Sequence, residues 1–310
     1  MSQDAKAPPA ADAASLPRPP RPEDLPEGLR LVLAPNPSPL TGPGTNTFLL
    51  GTDEIAVIDP GPDLPAHRAA ILAAAGRGRI THIFVTHAHR DHSEGVPALA
   101  EATGAQVLGF GDALAGRSAV MQRLAAEGGA GGGEGLDLSF RPDRQLADGE
   151  TITRDEWSLT AHHTPGHAGN HLSFAWGDVT FSGDVVMGWS TTLISPPDGD
   201  LADYFRSLDR LTALAPARLF PAHGPAIDAP LPRLAELAAH RRQRTAQILA
   251  ALRDGAPADA ATLAARIYDV PPQLLPAATR NVFAHLVALS TLGAARPEGE
   301  ITWQTRFSAD

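Results

Sequence analysis

The chain has 310 residues, a net charge of −10, 43% hydrophobic residues and no cysteine. That length fits one large domain, or a domain with a smaller companion, and leaves ample material for a core. Without thiols there can be no disulfide and no thiolate metal site, the acidic balance argues against a general polyanion binder, and no apolar run approaches the roughly 18 residues of a membrane helix.

In chain order, residues 1–28 form a Pro/Ala-rich stretch with no basic start followed by an apolar core. It reads as a disordered tail and not as a secretory signal, and with the absence of disulfides it points to the cytoplasm. In "NTFLLGTDEIAVIDPG" two β-runs, Thr47 to Leu50 and Glu54 to Ile58, flank a turn at Gly51-Thr52-Asp53, and Asp59-Pro60-Gly61 closes the second. "LPAHRAAILAAAGRG" has helical spacing and stops at glycine, "ITHIFVTH" reads as a buried strand, and "SEGVPALAEATG" as a helix with Ser93 as N-cap and Gly104 as its end. "AQVLGF" is a further strand. The Gly-rich run Glu127–Gly135 cannot hold regular structure and is expected as a flexible loop near a site mouth. β-runs return at "DLSF", "SLTAHHT", "HLSFAW" and "DVTFSGD", then a helix at "DLADYFRSLDRLTAL" and a strand at "RLFPAH". A β-meander interrupted by helices thus occurs twice, which predicts two sheets packed face to face with helices outside.

Beyond Pro232 the character changes. "RLAELAAHRRQRTAQILAALRDG", "DAATLAARIY" and "LLPAATRNVFAHLVALSTLG" are three helices, and "EGEITWQTRF" closes as a strand or hairpin. Three helices with a β-wing make a winged-helix-like pattern. The expected division is 29–230 for the sandwich and 231–310 for the helical domain. The charge divides there too: residues 1–230 carry 16 basic and 28 acidic residues, and residues 231–310 carry 9 and 7.

The chemistry concentrates in "VTHAHRDHSEG", where His87, His89, Asp91 and His92 follow an apolar strand. Neutral imidazoles and carboxylates are metal ligands. Residues two apart on an extended chain share a side, so His87 and His89 converge, while Asp91 and His92 turn toward a second point. Alone, this cluster would pass for turn and cap residues. Three further groups join it: His167 in "HHTPGHAGNH", Asp184 in "FSGDVV" and His223 in "LFPAHGP", each where a strand meets a turn. That is where a site at one rim of a sandwich would be built.

H-x-H-x-D-H followed by His, Asp and His at strand ends resembles the metallo-β-lactamase superfamily over roughly residues 30–230. The resemblance implies an αββα sandwich holding two divalent metal ions, usually zinc, with iron or manganese also compatible with such donors. It assigns His87, His89 and His167 to one ion and Asp91, His92 and His223 to the other. Asp184 bridges, and Asp91 and Asp184 are the carboxylates nearest the chemistry. Asp59 in "VIDPG" orients the ligand loops. Two ions about 3.5–4 Å apart lower the pKa of a shared water to about 7, and the bridging hydroxide attacks an acyl or phosphoryl centre. The aspartates of "HRDH" and "SGDV" are similar to the glyoxalase-II and nuclease branches. Arg90 in the first motif, "TPGHAGNH", "DYFRSLDRL", "PAHGPAI", "HRRQRTAQIL" and "NVFAHLVAL" resemble the beta-lactamase-like protein 2 family, nearly end to end. That family implies a winged-helix-like appendage, and a eukaryotic branch of it cleaves single-stranded RNA.

The expected substrate is a small molecule or single-stranded RNA. Phosphates would be met by Arg241, Arg242 and Arg244, unless these form a solvated helix face. The alternative is a glyoxalase-II-like thioester or lactone hydrolase, although Tyr204 and Tyr268 are the only phenols and no glutathione-binding set is legible. A reading of another class is a metal-sensing, DNA-binding regulator, for which the third helix offers only Arg280 and Asn281. The appendage reads better as substrate cover or as a homodimer contact. Among the rest, His171 is expected to support a ligand, to contact substrate or to be structural, His163 to be a strand histidine and His240 to pack between domains. Arg90 is expected to pair with an acid under the ligand loop, Trp189 and Ser190 to pack or line a cleft, and Pro196-Pro197-Asp198 to form a rigid loop.

Overall fold

The computed structural model describes residues 17–126 and 135–310; residues 1–16 of the expected tail and 127–134 of the Gly-rich run lie outside it. Within residues 17–28, expected as tail, Pro22–Asp24 forms a 3-10 turn, Leu25 packs against the core and Arg218 donates to the Asp24 carbonyl.

Two sheets form the body. The first has six strands in chain order: β1 (Leu29–Leu33), β2 (Asn46–Leu50), β3 (Glu54–Ile58), β4 (Arg79–Phe84), β5 (Gln106–Gly109) and β6 (Arg144–Gln145). Pairing is antiparallel up to β3 and parallel from β3 onward. The second sheet contains β7 (Thr151–Thr153), β8 (Ser158–His163), β9 (Leu172–Trp176), β10 (Val179–Gly183) and β11 (Arg218–Pro221) in the order β11-β10-β9-β8-β7, with only β10 and β11 parallel.

The side-chain period of two explains the layering. In β3, Ala56 and Ile58 face the inter-sheet core, while Ile55 and Val57 face α1 (Pro65–Ala75) and α3 (Val96–Thr103), meeting Ile71 and Leu99. Strands apolar on both faces need cover on both, hence an αββα sandwich. Between the sheets Phe48, Phe84, Phe174, Phe181 and Phe220 are buried, with ring centroids 5.0 Å apart for Phe48–Phe181 and 5.3 Å for Phe84–Phe174. Each such ring contributes on the order of 1.5–3 kcal/mol by leaving water. Outside the second sheet, Leu219 packs on Tyr204, Leu208 and Leu211 of α5 (Leu201–Leu214) and on Leu234 and Leu237 of α6 (Pro230–Arg253).

A second core gathers Ile248 and Leu252 of α6, Leu263 of α7 (Ala260–Ile267), Val282, Phe283 and Leu286 of α8 (Leu275–Thr291), and Phe307 of β13 (Phe307–Ala309). Helix α4 (Ala119–Ala126) adds Met121 and Leu124 to it. β13 pairs antiparallel with β12 (Ala295–Pro297) to make the wing. Helix α6 therefore belongs to both cores, its first half on the sandwich and its second in the winged-helix unit. No helix among the described residues is long and apolar enough to cross a membrane.

Three local expectations are corrected. Ser93 ends the single turn α2 (Arg90–Ser93) and does not cap α3; its hydroxyl donates to the His89 carbonyl and to Asp137, at 3.1 and 3.2 Å. "DLSF" is a turn, because the Asp137 carboxylate captures the amide and hydroxyl of Ser139. Of the strand or hairpin expected at "EGEITWQTRF" the hairpin forms, but the segment is its loop and not a strand: only Phe307 enters β13, and the Thr305 hydroxyl bonds back to Glu300.

Candidate metal centre

The ligand-type residues sit past strand ends, with His89, Asp91 and His92 at and within the single turn α2 that follows β4. Asp59 follows β3, His87 follows β4, His167 follows β8, Asp184 follows β10 and His223 follows β11. Strand β9 runs antiparallel to both β8 and β10, so β8, β10 and β11 point the same way and end at one rim. The two sheets are tied together there. The Asn46 amide group donates to the carbonyls of Pro221 and Gly224, both at 3.0 Å, and the Leu172 N–H donates to the Thr86 carbonyl at 2.7 Å. Gly183 allows the closeness: it has φ +50°, and a Cβ there would lie 2.5 Å from His171 Nε2 and 3.0 Å from Thr86 Cβ.

At this rim the side chains converge in three overlapping groups, His87/His89/His167, His87/His92/Asp184 and Asp91/His92/His223. In the first, His89 Nδ1 lies 2.8 Å from His87 Nε2 and 3.0 Å from His167 Nε2. In the last, Asp91 Oδ2 lies 3.2 Å from His223 Nε2 and 3.5 Å from His92 Nε2. Asp184 stands between, 3.4 Å from His223 Nε2, 3.6 Å from His92 Nε2 and 3.7 Å from His167 Nε2. Ligand atoms about 2.0–2.2 Å from a tetrahedral ion are themselves about 3.3 Å apart, which is the scale seen here.

The far side of each ring settles which nitrogen offers a lone pair. His92 Nδ1 donates to Asp59 Oδ2 at 2.9 Å, His167 Nδ1 to the Leu193 carbonyl at 2.8 Å and His223 Nδ1 to the Gly44 carbonyl at 3.1 Å. The Thr86 hydroxyl donates to Asp59 at 2.7 Å, so its oxygen accepts from His87 Nδ1 at 3.0 Å. In all four rings Nε2 is the nitrogen that faces the rim, able to offer a lone pair to a metal once it carries no proton. Two of the convergent atoms, His92 Nε2 and Asp184 Oδ1, are buried with no hydrogen-bond partner. Buried acceptors without donors are costly, and a cation satisfies them. The donor set fits a divalent metal.

Charge agrees with geometry. Burial would lower the His92 and His223 pKa values, yet the carboxylates of Asp91 and Asp184 prevail: His92 is raised well above its usual value and His223 is pushed up to about 10. Burial opposes ionisation of Asp91 and Asp184 too, and the same imidazoles hold both carboxyls well below their ordinary range. His87 and His89 are lowered by burial, His89 to about 3. The metal-free site thus sets ionised Asp91 and Asp184 against protonated His92 and His223, beside neutral His87 and His89, and a divalent cation can take the place of the two protons.

Comparison with known proteins completes the picture. The pattern of the metallo-beta-lactamase superfamily matches residues 40–223, more than half of the chain. The chain belongs to the metallo-beta-lactamase superfamily. The pattern of the beta-lactamase associated winged helix domain matches residues 260–303. A "Beta-lactamase-like protein 2 homolog" of Drosophila melanogaster is 32% identical over 278 residues, covering 86% of this chain and 88% of that protein. An "Atrochrysone carboxyl ACP thioesterase" of Aspergillus fumigatus is 29% identical over 252 residues, covering 79% and 71%. The crystal structure of a metallo-beta-lactamase family protein from Thermus thermophilus superposes with a TM-score of 0.72 at 26% identity, covering 91% of this chain and 99% of that one. The protein is accordingly a metal-dependent hydrolase of this fold, with a His/Asp cluster suited to divalent metal.

Other residues of this metallo-beta-lactamase-fold hydrolase fall as follows. His171 is no ligand: its Nε2 accepts the Asp184 N–H at 3.1 Å, and its Nδ1 bonds the Thr164 hydroxyl at 3.0 Å. His163 stacks on Phe110 at 3.8 Å, and His240 is half-buried on α6. Arg90 does not pair with an acid among the described residues; it is exposed, and its N–H donates to the Gly135 carbonyl. The acid beneath the ligand loop is Asp137, which composition could not single out and which Ser93 and Ser139 engage. Trp189 donates to the His223 carbonyl at 3.3 Å, and Asp198, after a cis Pro196-Pro197 bond, pairs with Arg117. The expected arginine face is not one surface. Arg241 is buried, Arg242 lies over Phe205 at 5.5 Å and Arg244 over Tyr268 at 3.8 Å.

Proposed function

We propose that the protein is a di-metal hydrolase, with zinc as its metal, that cleaves an acyl bond of ester or thioester type. His87, His89 and His167 would hold one ion, Asp91, His92 and His223 the other, and Asp184 both. The observation that carries this reading is the position of the Asp184 carboxylate, within 3.7 Å of imidazoles from both sets. When bound, such a pair supplies Lewis acidity and a water ionised near neutral pH, so no Ser or Cys nucleophile is needed. The chain itself turns Nε2 of His87, His92, His167 and His223 toward the ions and keeps Asp91 and Asp184 ionised.

The acyl assignment draws support from two sources. The Aspergillus relative carries a thioesterase name. A cavity of about 660 Å³ between α4, α5, α6 and α8 is lined by Leu201, Phe205, Val287 and Leu289 together with Arg123 and Arg242, which suits an apolar acyl body bearing an anionic group. Its wall residue Asp200 donates its N–H to the Gly166 carbonyl, next to His167. The RNA reading drew on the family resemblance and on three arginines to meet phosphates, of which one is buried and two are laid over aromatic rings. The DNA reading rested on Arg280 and Asn281, and the Asn281 side chain is turned inward onto Arg241 and Ile194.

The test is a panel of acyl thioesters, aryl esters, lactones, β-lactams, bis-aryl phosphodiesters and single-stranded RNA offered to zinc-loaded protein, with metal counted in the same samples. We expect thioester or ester turnover, two zinc ions per chain, and loss of both in His89→Ala and Asp184→Ala. Turnover of RNA or phosphodiesters with none of acyl substrates would overturn the acyl assignment, and a single ion per chain would overturn the pair.

A further inference from the structure

We infer that Arg241 and Asn281, on the C-terminal helices α6 and α8, are positioning residues for the metal centre, acting through the strap Thr192–Ile194. This rests on the metal reading above.

Arg241 is 2% exposed, and its hydrogen bonds run to two uncharged oxygens, the Thr192 carbonyl and Asn281 Oδ1, the latter at 2.9 Å. Its guanidinium also lies 5.5 Å over the Tyr204 ring. Burying a cation on uncharged acceptors is expensive, and packing alone would be served by an apolar side chain of similar volume. Asn281 Oδ1 accepts a second hydrogen bond, from the Ile194 N–H at 3.2 Å. Further along, Arg233 of α6 donates to the carbonyls of Met187 and Ser190, at 2.9 and 2.6 Å. The contacts to Thr192, Ile194, Met187 and Ser190 all end on main-chain atoms, so the helices hold the path of the strap whatever its side chains are.

The strap in turn holds two ligands. The Thr192 hydroxyl donates to the main chain of the bridging residue, 2.9 Å from the Asp184 carbonyl and 3.1 Å from that of Val185. The Leu193 carbonyl accepts from His167 Nδ1 at 2.8 Å and thereby fixes that ring's tautomer. Thr192, Leu193 and Ile194 are all buried, so water cannot replace a lost contact. Releasing the strap frees His167 to turn and Asp184 to drift, and loss of such outer contacts typically costs 10–100-fold in metal affinity.

The experiment compares Asn281→Leu, which removes the acceptor, with Asn281→Asp, which keeps an oxygen for Ile194 and Arg241. Arg241→Met is a third variant. Arg244→Met, on the same helix but stacked on Tyr268, is the control. Cobalt(II) affinity and absorption bands are read by chelator competition, and amide exchange at Ile194 and Asp184 is read in metal-free protein. We expect N281L to lose about 10–100-fold in affinity with altered cobalt bands, N281D and R244M to stay within about threefold of the parent, and exchange in N281L to quicken at both amides. A folded N281L with parental affinity and bands overturns the inference, as does quickening confined to Ile194. Should R241M fail to fold, the Leu/Asp pair at 281 still decides. If the parent itself binds no cobalt, the metal reading fails, and the two amides still report whether the strap passes strain to Asp184.

Discussion

Asp59 shows how much one residue can do without touching the metal. It sits at φ +51°, an uncommon conformation for a side-chain-bearing residue, and its two oxygens take the Thr86 N–H, the Thr86 hydroxyl and His92 Nδ1. Asp59→Asn turns one of these acceptors into a donor facing a donor. We expect a 10–100-fold loss of metal affinity, read by chelator competition; an unchanged affinity would mean that His92 orients itself. The raised pKa values of His92 and His223 carry a second expectation. Without metal these rings hold protons through neutral pH, His223 up to about 10, and an incoming ion has to displace them. Metal affinity therefore rises from pH 6 to pH 8, with proton release on binding, and a flat profile would refute the assignment of these rings as ligands.

At the scale of elements, the ligand loops depend on strand ends that approach more closely than side chains normally allow. Gly183 ends β10 beside His171 and Thr86, and Gly166 packs where a Cβ would lie 2.5 Å from the Tyr204 Cα of α5. Gly183→Ala meets a strained backbone and an occupied space together. We expect it to lower stability by about 2–4 kcal/mol in urea unfolding. Gly149, at φ +78° with nothing near its missing Cβ, serves as the comparison. Gly149→Ala should cost only about 1 kcal/mol, the backbone preference alone. Equal costs at the two positions would show that crowding at the rim is unimportant. The strand ends were readable in sequence because alternation and turn residues are local signals. Helix α4 was not, since eight residues with a single apolar face look like a loop until a second core covers Met121 and Leu124.

For the whole molecule, histidines buried away from the metal centre set the acid limit. Burial lowers His67 and His82 to about 4 and His285 to about 3. An unfolded histidine titrates near 6.5, so between those values the unfolded chain binds more protons than the folded one. The stability they contribute is complete above about pH 6.5 and is lost as pH falls toward 4. His92 and His223 work in the opposite sense: their raised values stabilise the metal-free fold below about 6.5, and that contribution fades as pH rises toward 10. With more rings lowered than raised, the melting temperature of metal-free protein should fall between pH 7 and pH 5. A rise over that interval would show that the ligand pair dominates. Helix α6 links this global behaviour to the site, because one rigid rod joins both cores and carries Arg233 and Arg241 onto the strap.

The amino-acid sequence alone determined the layered fold and the donor set. Alternating apolar faces, strand-end turns and the spacing H-x-H-x-D-H are each written within a few neighbouring residues, as are His167, Asp184 and His223 in their own turns. Only the tertiary structure decided which nitrogen of each ring faces the rim, that Asp137 and not an Arg90 partner underlies the ligand loop, and that Arg241 leaves its neighbours to enter the protein. Those outcomes turn on carbonyls and carboxylates brought from tens of residues away, such as Gly44 to His223 and Thr192 to Arg241. A side chain's hydrogen-bond partner is a property of the folded neighbourhood, and no local pattern encodes it.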